Sequence, residues 1–153
     1  MKTLALKVPP PMLFVTALGV MYGVSLYTPH WQVDVVVARY TSIGLFSLGL
    51  SIAIAATVAF KRHKTTVDPR HPEKSSSLVT KGIYRFTRNP MYLCLVLWLV
   101  CWAIYLHSPV ALIIVTLFIV YLTQYQIKPE ERMLSARFGK PYLKYTTRVR
   151  RWL

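Results

Sequence analysis

The sequence predicts an all-α integral membrane protein of about four transmembrane helices, with a C-terminal helical hairpin and a cytoplasmic cofactor pocket. Three observations predict it. Hydrophobic residues make up 54% of the 153-residue chain and are bunched into long runs, where a soluble chain would interleave its charges. The charges are bunched too: residues 61–90 and residues 128–153 each hold eight basic and two acidic side chains, and together they carry +12 of the net +14. Finally, the densest polar, aromatic and turn-forming stretch, LVTKGIYRFTRNPMY at residues 78–92, joins two hydrophobic halves. The length suits one domain. Residues 1–60 read as a two-span anchor, and residues 61–153 as a central loop, a hairpin and a tail.

Residues 1–7 are short and basic, and Pro9-Pro10-Pro11 starts a helix. Residues 12–27 are apolar and uncharged, and with their flanks they reach the ~20 residues needed to cross a bilayer. No signal-peptide cleavage site stands out, and the run is long enough to be retained as a span. Gly19 and Gly23 form a GxxxG pair that admits close approach of another helix. Thr28-Pro29-His30 ends the run, and Trp31 and Tyr40 bracket a polar connection at interface depth. Residues 40–60 form the second run. Gly44, Ser47, Ser51 and Ala55 make a small-residue stripe on it, expected to be its packing face. Lys61-Arg62-His63-Lys64 stops this run, and residues 65–77, with Pro69, Pro72 and three serines, read as a loop.

The third run, residues 91–106, is short for a span. His107-Ser108-Pro109 is a tight turn into the fourth, residues 110–127, so the two are antiparallel neighbours. Basic segments on one side put the N-terminus, the central loop and the C-terminal tail in the cytoplasm. The flanking pattern argues against nucleic acid and for anionic lipid headgroups as partners. Cys94 and Cys101 lie seven apart on one helix face, about 10 Å along its axis, too far for a disulfide. His63 and His71 have no partners at ligand spacing, so no metal site is expected.

The topology brings residues 78–92 and residues 128–153 to one face. Asn89-Pro90 suits an N-cap and first helical position, and a helix start also offers N–H groups to an anion. Glu130 and Glu131 are two of only five acidic residues. If a helix restarts at Pro129 they fall in its first turn and complement its dipole. Carboxylates at a membrane boundary are also functional candidates, able to hold a cationic ligand. Gln126, one turn before Glu130, can face the same pocket. Tyr84, Phe86, Tyr92, Tyr142 and Tyr145 supply aromatic surface, either as an interfacial belt or for stacking and cation–π contact. There is no GxGxxG, P-loop or GxSxG, so a nucleotide-like cofactor would need a different cradle.

Taken in order, Leu78-Val79, Gly82, Tyr84, Arg88-Asn89-Pro90, Tyr92, Glu130-Glu131, Phe138-Gly139, Tyr142 and Tyr145 resemble the isoprenylcysteine carboxyl methyltransferase family. That family includes short bacterial members and is related to the phospholipid N-methyltransferases. The resemblance covers about the last half of the chain. It implies an S-adenosylmethionine-dependent methyltransferase in a membrane such as the bacterial inner membrane, acting on a lipophilic acceptor drawn from the bilayer. It implies cofactor contacts from Ser77, Leu78, Val79, Tyr84, Asn89, Pro90, Met91, Tyr92 and Glu130, and substrate contact from Gln126. Arg88 and Glu131 are the candidate catalytic residues, Glu131 as the base an amine acceptor would need. Two departures concern the acceptor. Asn89 stands where eukaryotic members have His, and Gln126 stands where an arginine serves a prenyl-substrate carboxylate; a neutral amide is a poorer carboxylate partner. Two other classes compete: an NADPH-dependent membrane reductase of the related sterol reductase fold, and a non-catalytic membrane subunit.

Overall fold

A proline-led helix, α1 (Pro10–Ser25), opens the fold: Pro9 precedes it and the ring at its first position presets φ where an N–H is not needed. The computed structural model describes residue 6, residues 8–62 and residues 78–153, and the regular structure among them is entirely helical. α2 (Val35–Arg62) is capped by Asp34, whose Oδ1 accepts from the N–H groups of Val36 (2.9 Å) and Val37 (3.1 Å). A short 3₁₀ turn (Gly82–Arg85), entered through Gly82 at φ +64°, leads to α3 (Pro90–Tyr105). Then come α4 (Ala111–Tyr121), a π-helical turn (Leu122–Ile127), α5 (Lys128–Phe138) and α6 (Lys140–Thr146).

The helices run alternately up and down. Between α1 and α3, Phe14 meets Trp98 and Trp102 Nε1 donates to the Leu18 carbonyl (3.2 Å), so those two run parallel. Between α2 and α3, Ser42 and Cys101 exchange side-chain-to-carbonyl bonds and Trp98 Nε1 donates to the Phe46 carbonyl (3.2 Å), an antiparallel pairing. At one end the two connections touch, with Trp31 N–H donating to the His107 carbonyl (2.7 Å) and Thr28 Oγ1 3.5 Å from Ser108 Oγ. At the other end Leu6, residues 84–92 and the C-terminal tail gather. The main core joins α1, α3, α4 and the π-helical turn through Met21, Leu99, Ala103, Ala111, Val115 and Leu122. Both cysteines are free, as their spacing required.

The packing face of α2 differs from the expected one. Gly44, Ser47, Ser51 and Ala55 are exposed, and the buried seam is Ala38, Ser42, Gly49, Ala56 and Ala59. Trp98 decides between the two stripes. A Cβ on Gly49 would sit 2.6 Å from Trp98 Nε1, so only glycine lets the indole lie across α2, whereas a Cβ on Gly44 meets nothing. The Gly19–Gly23 pair of α1 is likewise open.

The turn between α4 and α5 has a cause in Pro129. Proline has no N–H for the Tyr125 carbonyl and its ring crowds the preceding turn. The helix widens instead of breaking, and Leu6 N–H takes the Tyr125 carbonyl (3.1 Å). The expected helix restart at Pro129 is therefore a continuation: Ala111–Phe138 is one 28-residue helix. It ends at Gly139, whose φ of +54° and ψ of −130° suit glycine alone and turn the chain into α6.

Two helices, Val35–Arg62 and Ala111–Phe138, are long and apolar enough to cross a membrane. α1 and α3 are apolar but 16 residues long, about 24 Å against a hydrocarbon core of about 30 Å. Large apolar side chains cover the outside of the bundle, among them Val15, Tyr40, Phe46, Ile54, Ile113 and Leu117. So much exposed apolar surface marks a membrane-associated protein.

Candidate functional site

The end of the bundle that collects both polar stretches holds two adjoining clusters, one on each side of the Glu130-Glu131 pair. Consecutive helical residues point about 100° apart, so the two carboxylates diverge.

Glu130 turns inward. It is 9% exposed, and its Oε1 accepts from the Tyr92 hydroxyl (2.5 Å) and from Gln126 Nε2 (3.0 Å). Gln126 is 1% exposed and Tyr92 6%. The three come together because α3 starts with Tyr92 in its first turn, while the widened turn and α5 place Gln126 and Glu130 one turn apart on the facing helix. A buried carboxylate is costly unless hydrogen-bonded, and these two donors offset part of that cost. Gln126 and Glu130 thus meet side by side, with the Gln126 amide spent on the carboxylate itself.

Glu131 turns the other way, into an ion-pair clasp. Arg151 grips it in bidentate fashion, Nε to Oε1 at 2.9 Å and Nη2 to Oε2 at 2.7 Å, and Arg88 Nη1 lies 3.1 Å from Oε1. Hydrogen bonding to Glu131 pushes the Arg151 guanidinium further up in pKa, so it stays charged. Arg88 Nε is buried with no partner among the described residues, the one polar side-chain atom there left so. The C-terminal tail completes the clasp. The Arg151 carbonyl accepts from Thr87 Oγ1 (3.3 Å) and Asn89 Nδ2 (2.9 Å), Arg88 N–H donates to the Arg150 carbonyl (3.1 Å), and Trp152 Nε1 donates to Thr123 Oγ1 (3.3 Å).

The side chain of Asn89 thus does not cap α3, as its position suggested. Thr87 Oγ1 instead takes the Asn89 N–H (3.1 Å), and the amide reaches the tail. Pro90 is buried at the first position of α3 and Met91 is half-buried.

A third group, Val79 and Tyr84 with Phe60, Ile83 and Met91, packs on Ala56 and Ala59 of α2. Phe60 meets Tyr84 edge-on at 5.4 Å, and the Tyr145 hydroxyl donates to the Tyr84 carbonyl (2.7 Å). Burial raises the hydroxyl pKa of Tyr84, Tyr142 and Tyr145 above the ordinary 10.0, so all three stay neutral. Of the expected aromatic surface, Phe86 is the exception, 69% exposed. Leu78 is half-buried just before Val79, while Ser77 and the two loop histidines lie outside the described residues. Among the described residues no cluster of three metal-ligating side chains occurs.

Four side chains escaped the sequence reading: Thr87, Thr123, Arg151 and Trp152. The signal was a Trp beside an Arg run at the chain end, which read as headgroup attraction.

The sequence model of the phospholipid methyltransferase family matches residues 37–141, which hold both glutamates and the whole 78–92 stretch. A probable protein-S-isoprenylcysteine O-methyltransferase of Oryza sativa subsp. japonica is 30% identical over 110 residues, covering 72% of this chain and 58% of the rice protein. Protein-S-isoprenylcysteine O-methyltransferase A of Arabidopsis thaliana is 30% identical over 122 residues, covering 78% of this chain and 58% of that protein. An uncharacterised protein of Haemophilus influenzae is 43% identical over 63 residues, 41% of this chain and 100% of its own length. The chain thus spans 58% of the length of the plant relatives it matches.

Proposed function

The chain belongs to the phospholipid methyltransferase family, and on that premise we propose that it is a membrane methyltransferase that uses S-adenosylmethionine and acts on a lipophilic acceptor. The observation that carries the reading is the buried Tyr92–Glu130–Gln126 cluster at the start of α3, beside Tyr84 and Val79. Its chemistry fits the cofactor: a buried carboxylate and aromatic rings suit a cationic sulfonium, and the first turn of α3 suits a carboxylate. Leu78, Val79, Tyr84, residues 89–92 and Glu130 would hold it. When bound, S-adenosylmethionine supplies an already activated methyl group.

The protein's own task is then alignment and exclusion of water, and proximity supplies most of the rate. Glu130 is fixed by two donors, so its direction is set before ligand arrives. A carboxylate or thiolate acceptor needs no base. An amine acceptor needs one, and Glu131 would have to act from inside its clasp with Arg88 and Arg151. Gln126, buried against Glu130, offers no charge to an acceptor carboxylate, which favours an acceptor not anchored at that position. We further propose four membrane crossings, with the clasp end, the N-terminus, the central loop and the C-terminal tail in the cytoplasm. The up–down alternation and the basic residues at that end support this.

The test is calorimetric binding of S-adenosylmethionine to the protein in lipid nanodiscs, beside a Glu130→Gln variant and with NADPH as the competing ligand. The expected result is binding by the wild type, weakened about tenfold or more in the variant, as loss of a charged contact predicts. A folded wild type that binds no S-adenosylmethionine refutes the proposal.

A further inference from the structure

Beyond Glu131, on the side away from Glu130, α5, α6 and the tail enclose an open cleft of about 560 Å³. We propose that this cleft is a binding site for a phosphate group, beside the proposed cofactor pocket and bordered by the Glu131 clasp. Its walls carry Arg88, Lys128, Arg132 and Arg151 against the single carboxylate of Glu131, leaving three uncompensated positive charges. Two of these cations belong to no ion pair among the described residues. Lys128 Nζ bonds only the neutral Gln124 Oε1 (2.8 Å), and Arg132 is exposed. Like charges are not gathered around a cleft without cost, and a bound anion removes that cost.

The donors narrow the anion. Guanidinium groups present flat, paired N–H donors that match phosphate oxygens. Ser135 adds a hydroxyl, and Tyr142, kept neutral by burial, adds another. Three charges and this many donors exceed what one carboxylate needs and suit a dianion. At the rim Leu143 is 53% exposed, an apolar lip beside a polar hollow. A phosphate can come from a lipid headgroup or from solution, and the two sources share this chemistry.

The experiment uses the full chain in detergent, stripped of lipid, with two calorimetric probes at constant ionic strength: inorganic phosphate, and the monomeric short-chain lipid dihexanoyl phosphatidic acid. Chloride is the reference anion. The test variant is Lys128→Gln with Arg132→Gln, since neither residue belongs to the clasp or to the Glu130 cluster. The control is Arg39→Gln with Lys61→Gln, which changes net charge equally on α2, a helix that contributes nothing to the cleft lining. The expected result is binding of at least one probe, weakened about tenfold or more in the test variant and unchanged in the control. Binding of both probes alike assigns the site to free phosphate, and binding of the lipid alone assigns it to a headgroup. Failure of both probes against chloride, or equal loss in the two variants, overturns the proposal. Because S-adenosylmethionine is absent, the outcome is independent of the methyl-transfer reading.

Discussion

Replacing Arg151 with Ala is expected to loosen the clasp without releasing the tail. The side chain makes two charge-assisted hydrogen bonds to Glu131, at 2.9 and 2.7 Å, and both partners are partly exposed, at 32% and 18%. Charge-assisted bonds of this kind are worth about 1.5–3 kcal/mol each when removed singly, but solvent screening at a one-third exposed guanidinium lowers that. Glu131 also keeps Arg88. The net loss expected is therefore about 1–2 kcal/mol. The main-chain carbonyl of residue 151 still accepts from Thr87 and Asn89 in the variant, so the tail stays docked and the protein folds. The assay is equilibrium unfolding in detergent, followed by tryptophan fluorescence, in a cycle of Arg151→Ala, Glu131→Gln and both together. Residues in direct contact couple by about 0.5–3 kcal/mol, and about 1 kcal/mol is expected here. Additivity within about 0.3 kcal/mol would refute the idea that this pair holds the tail to α5.

Further outcomes follow from other parts of the structure. Gly49→Ala should destabilise by about 1–3 kcal/mol, because the new Cβ overlaps Trp98, while Gly44→Ala should be neutral; thermal unfolding compares them. Tyr92→Phe removes one of the two donors to buried Glu130 and should cost about 1–3 kcal/mol, measured in the same way. For pH, Tyr84, Tyr142 and Tyr145 have folded-state pKa values above the ordinary 10.0, so their contribution to stability is complete below pH 10.0 and is lost as pH rises beyond it. Unfolding midpoints should fall above that pH, and Tyr84→Phe should flatten the fall.

How far the sequence reached is clearest at Glu130. The tight turn between apolar runs brought the two polar stretches to one end, and the i, i+4 spacing put Gln126 and Glu130 on one helix face; the meeting of Tyr92 with Glu130 rests on side-chain packing that neither period nor chain reach specifies. The clasp was out of reach, since Arg151 is one basic residue among several at a chain end and only tertiary contact separates it from the rest. The α2 seam failed for a related reason. Two small-residue stripes share that helix, and periodicity weighs them equally; the Trp98 indole lying across Gly49 selects one. Pro129 was legible as a disturbance, but whether a helix breaks or widens there depends on a donor for the Tyr125 carbonyl, and Leu6 lies over a hundred residues away in sequence.

The widened turn at Leu122–Ile127 also bears on how the chain tolerates change in length. A turn closed i to i+5 contains one residue more than a turn closed i to i+4, so it acts as a slack link in the helix. Removing one residue from Ala111–Tyr121 would rotate everything beyond it by about 100°, carrying Glu130 off Tyr92 and Glu131 off Arg151 together. Removing one residue within the wide turn would instead tighten it to an ordinary α-turn and leave both carboxylates aimed as they are. That single turn is where a shorter chain could preserve the same two-sided arrangement of adjacent acids.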